Sequence, residues 1–340
     1  MTRRTGFLAI LCAALLIAGQ AMAACVLGEM RTDQPPLGPD GKPTEVEIAI
    51  QLVDFLGVDD VNQQIAVDLR LELLWRDPRL AGFEGCRFGV TQIWFPRIEL
   101  ANSSALRAAR QQAQDQVAIG PDGLVTYTQR YAGNVSSYHR LQDFPFDRQS
   151  FRIDLLVTGL SADEMVFVAN NDRSGIAYRL NVEGWAVDTM TLSDSIVAPA
   201  LLNYELSVAS LTIDAHREPA FFVYRVLLPL VLVVAMSWTI FWVPPSKYEF
   251  QIGLGATAML TAIAFTISIS GRLPPLGYLT TLDEMLIWAV CLVFLSIVEA
   301  LYTGLLVLRG REALAERIDR IARFVAPALL FLGWGVLYAL

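Results

Sequence analysis

Up to about residue 217 the chain is organised in short segments that alternate apolar and polar positions; from Pro219 onward it is apolar with few interruptions. The segment Val67-Asp68-Leu69-Arg70-Leu71-Glu72-Leu73 alternates strictly, the pattern of a strand buried on one face. Glu45–Val53, Leu124–Tyr131, Phe151–Val157 and Tyr204–Ile213 follow the same period more loosely. Pro121-Asp122-Gly123 supplies a turn ahead of one of them, and the polar stretch Ser103–Gln116 reads as a short helix or a mobile loop. Many short strands and no long helical pattern predict an all-β, immunoglobulin-like sandwich over residues 24–217. Beyond it, residues 218–340 hold four apolar runs, expected as helices at about 219–243, 248–271, 279–308 and 317–340. Each reaches or approaches the roughly 20 residues that cross a bilayer.

The N-terminus, MTRRTGFLAILCAALLIAGQAMA, has two Arg before an apolar core and small residues at Ala21-Met22-Ala23, which reads as a signal peptide over 1–23. Lipidation at Cys25 is an alternative. Export would leave Cys25 and Cys86 as a candidate disulfide in an oxidising compartment, since Cys12 departs with the signal and Cys291 lies in an apolar run. Lys247 flanks the first interhelical turn, and Arg309, Arg311, Arg317, Arg320 and Arg323 crowd the third. These basic loops belong on the cytoplasmic side, which places the N-terminal domain and the C-terminus in the periplasm of a multi-pass inner-membrane protein.

Composition supports the membrane reading: 54% of residues are hydrophobic and only 18% charged. A net charge of −8 argues against nucleic acid as a partner. No nucleophile–base spacing, metal-ligand cluster or phosphate loop stands out, so neither an enzyme nor a cofactor or metal is expected.

The second apolar run differs from the others. At helical spacing Glu249, Gly253, Thr257, Leu260, Ala264, Ile267 and Gly271 share one face, acidic at its inner end, then small and hydroxylic, then apolar. Small residues also let membrane helices pack closely, which is the plainer reading. A carboxylate at the membrane boundary, however, needs water or a partner. Copies arranged around an axis would form an acidic ring favouring cations, with Leu260 and Ile267 as constrictions.

The stretch Phe144-Pro145-Phe146-Asp147-Arg148-Gln149-Ser150-Phe151 resembles the signature loop of the pentameric ligand-gated ion channels, the Cys-loop receptor superfamily. Ser137 and Phe151 occupy the positions of the bracketing cysteines, so that disulfide is absent, as in the bacterial branch. Trp75-Arg76-Asp77-Pro78-Arg79-Leu80, Ile93-Trp94-Phe95-Pro96, Arg217 and Pro229 extend the likeness over roughly residues 45–340. It implies a homopentamer that conducts monovalent cations across the lipid bilayer when a small molecule binds between β-domains.

By that resemblance Glu249 would select charge and Thr257, Leu260, Ala264 and Ile267 would line the pore. The Phe144-Pro145-Phe146-Asp147 loop and Asp59-Asp60 would press on Pro274-Pro275, with Asp60 paired to Arg217. A solvated turn is the plainer reading of Asp60. The aromatic cage for a quaternary ammonium is missing: its positions hold Arg70, Ala101 and Thr158, and only Tyr204 is aromatic. Arg70 and Arg130 would face the cleft and could receive a carboxylate, unless they pair with Glu72 or Glu99. A proton is the other candidate agonist, but Gln63 and Ala262 stand where the proton-gated members carry titratable groups. His139 and His216 read as structural histidines. The alternative class is a membrane-anchored periplasmic solute-binding or sensor protein that does not conduct.

Overall fold

The structure is a computed structural model that describes residues 25–28, 31–36, 38, 41–102, 107–108, 116–177, 180, 182–271 and 275–339. The expected signal peptide, Pro274, and most of Ser103–Gln116 lie outside these residues.

Alternation along the strands produces two sheets that share a core. One runs in the order β10-β1-β2-β7-β6-β3, with β9 also pairing β1 and β5 pairing β7. Its members are β1 (Thr44–Asp59), β2 (Gln64–Arg76), β3 (Arg87–Gly89), β5 (Arg107–Ala108), β6 (Gln116–Ile119), β7 (Leu124–Ser136), β9 (Met165–Ala169) and β10 (Gly175–Ile176). The second runs β11-β12-β8-β4, from β11 (Trp185–Val197), β12 (Leu206–Arg217), β8 (Arg148–Val157) and β4 (Ile98–Leu100). Where a helix or loop was expected within Ser103–Gln116, the described Arg107–Ala108 instead pairs antiparallel with Tyr131 and Ala132. A neighbouring strand with unpaired backbone groups offers that alternative, which local composition does not show.

In β2 every second residue from Ile65 to Trp75 is buried and those between face outward. Trp75 meets Trp94 edge-on at 5.9 Å, and Phe55 meets Phe151 at 5.5 Å, so aromatic rings fill the space between the sheets. Fully burying a side chain of this size contributes about 1.5–3 kcal/mol. Gly123, at φ +69°, lies so close to Asp77 that a Cβ would stand 2.2 Å from the Asp77 carbonyl oxygen, which makes glycine a requirement there. A disulfide joins Cys25 to Cys86, tying the N-terminal segment to the sandwich.

After β12 the described residues hold four helices long and apolar enough to cross a membrane. Here α1 is Ala220–Trp242, α2 is Tyr248–Ser270, α3 is Thr281–Leu308 and α4 is Glu312–Ala339. A π turn at Val223–Leu227 precedes Pro229 in α1. Proline has no N–H to bond a carbonyl one turn back, and the widened turn absorbs the fault. The Thr280 hydroxyl accepts from the Asp283 N–H while Asp283 accepts from the Thr280 N–H, a reciprocal cap that starts α3. Helix α4 begins at Glu312 rather than near 317, because its charged first turns continue the helix beyond the apolar run with Ala315 packed inward. The Arg323 Nε donates to the Phe241 carbonyl at 2.8 Å, linking α4 to the end of α1.

Replacing Cys86 by serine frees a 61-residue separation. The expected loss is roughly 2–4 kcal/mol of β-domain stability, read as a lower non-reducing melting temperature.

Candidate functional site

The membrane helices and the sandwich meet at a buried ionic cluster. Strand β12 ends on Arg217, whose side chain is only 6% exposed. Its Nε donates to Asp147 Oδ1 at 2.7 Å, and its two terminal nitrogens donate to Asp60 at 2.9 and 2.8 Å. The guanidinium also lies over the rings of Trp185, at 4.3 Å, and Phe144, at 4.7 Å. Three segments distant in sequence are thereby held to one cation: the β1–β2 turn, the loop before β8, and the end of β12.

Burial pushes the Asp60 carboxyl up, but hydrogen bonds from His139 and Arg217 outweigh it and hold Asp60 below its usual value. Burial likewise disfavours the Arg217 cation, and the bonds to Asp60 and Asp147 more than offset that. Asp59 is exposed and turned away; the side-chain and backbone N–H groups of Asn62 hold it low. Asp147 is completed by the Gln149 amide, which donates at 2.7 Å.

Apolar packing carries the loop into the helices. Phe144 meets Phe222 at 4.7 Å, and Phe146 meets Tyr338 at 5.1 Å. Leu141 and Phe144 belong to the helix core with Leu230, Leu282 and Leu286. The α3 N-terminus donates to the loop, from Thr281 N–H to the Gln142 carbonyl and from Leu282 N–H to the Phe144 carbonyl. The Tyr278 hydroxyl accepts from the Leu141 N–H at 3.0 Å. The loop was expected to press on Pro274-Pro275. Pro274 is not described and Pro275 is exposed; besides the Tyr278 contact from the same connection, the contacts run to α1, the start of α3 and the end of α4. Phe222, Trp185, Tyr278 and Tyr338 were not singled out from sequence, because each is an isolated residue whose neighbours are distant in the chain; His139, read from sequence as a structural histidine, is buried beside Asp60.

The ligand candidates fall into two groups. Arg70 and Arg130 are directly opposite on β2 and β7, whereas Ala101, Thr158 and Tyr204 adjoin strands of the other sheet. Neither expected acid takes Arg130: it makes a two-pronged pair with Asp68, at 2.8 and 2.5 Å. Glu72 is bound by Arg173, and Glu99 accepts from the Thr158 hydroxyl. Two free guanidinium groups are therefore not present side by side; Arg70 is exposed and Arg130 is engaged. Tyr204 is exposed in the connection between β11 and β12.

On α2, the residues Glu249, Gly253, Thr257, Leu260, Ala264, Ile267 and, just past its end, Gly271 are all exposed in the single subunit. Gln251, Ala258, Ala262 and Ile269 are buried on the opposite side.

Residues 26–200 match the family of the neurotransmitter-gated ion-channel ligand binding domain. The chain is 26% identical over 321 residues to a proton-gated ion channel of Gloeobacter violaceus, covering 89% of this chain and 84% of that one. It is 25% identical to a gamma-aminobutyric acid receptor subunit beta of Lymnaea stagnalis, over 84% of this chain but 62% of that subunit. Against the beta-4 subunit of Gallus gallus it is 22% identical and spans 61% of that subunit.

Arg217→Ala would strand two buried carboxylates, an expected cost of about 3–5 kcal/mol by thermal melting. Asp60 is held low, so its contribution is fully present above the ordinary carboxylate value of about 3.9 and is lost as pH falls through its folded value. The stability difference between the wild type and Asp60→Asn should accordingly shrink below about pH 4.

Proposed function

The chain belongs to the pentameric ligand-gated ion channels of the Cys-loop receptor superfamily, and from that premise we propose a homopentameric, cation-selective channel with α2 around its axis. The observation that carries the reading is the unpartnered face of α2. Leu260 is 71% and Ile267 69% exposed on a helix whose other side is packed against α1 and α3. Between them and the inner end stand Thr257 and Gly253, groups that gain little from lipid. The Thr257 hydroxyl donates to the Gly253 carbonyl at 2.9 Å, which leaves its oxygen lone pairs for a partly dehydrated ion.

Glu249 in the first turn of α2 would form an acidic ring at the inner mouth, while Leu260 and Ile267 close the pore by excluding water. Residues 24–217 are assigned to the periplasm and 218–340 to the inner membrane, with 1–23 as the export signal. The agonist is assigned to the cleft between neighbouring β-domains, beneath the β11–β12 hairpin. The relatives' names supply two agonists to test, protons and gamma-aminobutyric acid. A carboxylate would rely on Arg70, since Asp68 already holds Arg130.

Recordings from purified protein in planar bilayers under a salt gradient test the pore. The wild type should reverse near the cation equilibrium potential, and Glu249→Ala should move the reversal potential toward zero. Leu260→Ser should raise the current in the absence of agonist. A wild-type reversal at the anion potential would overturn the selectivity assignment.

A further inference from the structure

His139 occupies the junction beside the Arg217 cluster, and its surroundings fix its chemistry. The side chain is 1% exposed. Its Nδ1 lies 3.0 Å from the Ser137 carbonyl oxygen and its Nε2 lies 3.2 Å from Asp60 Oδ1. A carbonyl only accepts, and an ionised carboxylate only accepts. A neutral imidazole has one N–H, so one of its buried nitrogens would turn a lone pair on an oxygen lone pair. Both contacts are satisfied together only when both nitrogens carry protons.

Charge balance gives the same answer independently. The groups that face one another here are Asp60 from the β1–β2 turn, Asp147 from the loop before β8, Arg217 from β12 and His139 itself. Asp59 and Arg140 are exposed. With a neutral histidine the cluster holds two carboxylates against one guanidinium, a buried net negative charge. An imidazolium makes it neutral, which is the arrangement that low-dielectric surroundings favour. The Phe151 ring stands edge-to-face with the imidazole at 5.8 Å and fixes its plane.

We propose that His139 is a proton-binding site of the junction: with both nitrogens protonated it clamps the β1–β2 turn to the segment that leads into the membrane loop, and release of one proton loosens that clamp. The proton leaves from Nε2 to water past Asp60, whose side chain keeps 15% exposure. Asp60 then retains Arg217 but loses its second donor, while the Ser137 carbonyl keeps the Nδ1 proton. The Asp60 side chain is thus held by one partner instead of two, while the Ser137 N–H keeps its bond to the Gln63 carbonyl. Histidine is the side chain whose charge ordinarily changes between about pH 5 and 8, which sets the range over which the clamp is tested. Only the functional arm of the test rests on the channel reading.

The chain has two histidines, so 15N-histidine labelling of the full-length protein gives two rings, and His139→Gln assigns them. The expected result is a His139 ring with both nitrogens protonated at about pH 6 that becomes a single neutral tautomer as pH rises past about 8. A neutral tautomer at every pH from about 5 upward would overturn the proposal. In recordings, His139→Gln keeps a donor for Asp60 but cannot titrate. It should abolish the dependence of current on external pH between about 6 and 8, whereas His216→Gln should retain it. Superimposable pH profiles for His139→Gln and wild type would overturn the coupling role. A wild type that passes no current refutes conduction alone, and the ring spectrum then decides the proton site by itself.

Discussion

One buried guanidinium organises the boundary between the two halves of this protein. Arg217 has given up nearly all of its water and receives in exchange two carboxylates and two aromatic faces. Such an arrangement contributes modestly to net stability, because the desolvation of three charges offsets most of their attraction. Its consequence is geometric. Any displacement of the β1–β2 turn, the loop before β8 or the end of β12 leaves an uncompensated charge, so the three move together or not at all. Arg217 is followed after two residues by Ala220, where α1 starts, which brings that constraint directly to the membrane.

The loop before β8 has to satisfy two solvents, and its residues are divided accordingly. Leu141 and Phe144 enter the helix core, where their burial follows the same area rule as any interior side chain. Asp147 and Gln149, a few residues on, face back into the ionic cluster. Backbone groups that would otherwise be orphaned in the apolar layer are taken up by the first N–H groups of α3 and by Tyr278. An apolar sequence with a proline and an acid in it, too greasy for a solvated loop, is what such a plug needs.

How much of this was legible from sequence depended on the range of each interaction. The alternation in β2 and the four apolar runs are local, and period alone locates them. The Asp60–Arg217 pair spans 157 positions and was reached only through resemblance to a family. The Asp68–Arg130 pair was not reached at all. Arg70 stands directly opposite Arg130, so Asp68 and Glu72 are both diagonal neighbours of Arg130 on the outward face. Arg173, brought in from a distant loop, takes Glu72 and leaves Asp68 to relieve the repulsion between the two arginines. The start of α4 was placed too late for the opposite reason: apolar length marks where a helix enters the bilayer, whereas the helix itself begins wherever its backbone can be capped and continued.

A helix facing only lipid has no use for exposed polar side chains, yet α2 exposes Glu249, Thr257, Thr261 and Ser268. Gln251 points inward and donates to the Ile240 and Val243 carbonyls, closing the end of α1, while Glu249 two positions earlier is exposed. Gly255, on the packed side, lies so close to Ile297 that a Cβ would stand 2.6 Å from it, so close contact with the bundle is already made on that side. Small residues on the exposed side, Gly253 and Ala264, therefore cannot be explained by packing within the subunit. They are accounted for if that face belongs to an axis shared by several copies, where width matters and water reaches the acid at the inner end. The junction and the exposed face of α2 thus pose one mechanical problem: a cluster that fixes the entry of α1 sits at one end of a bundle in which α2 is packed directly against α1.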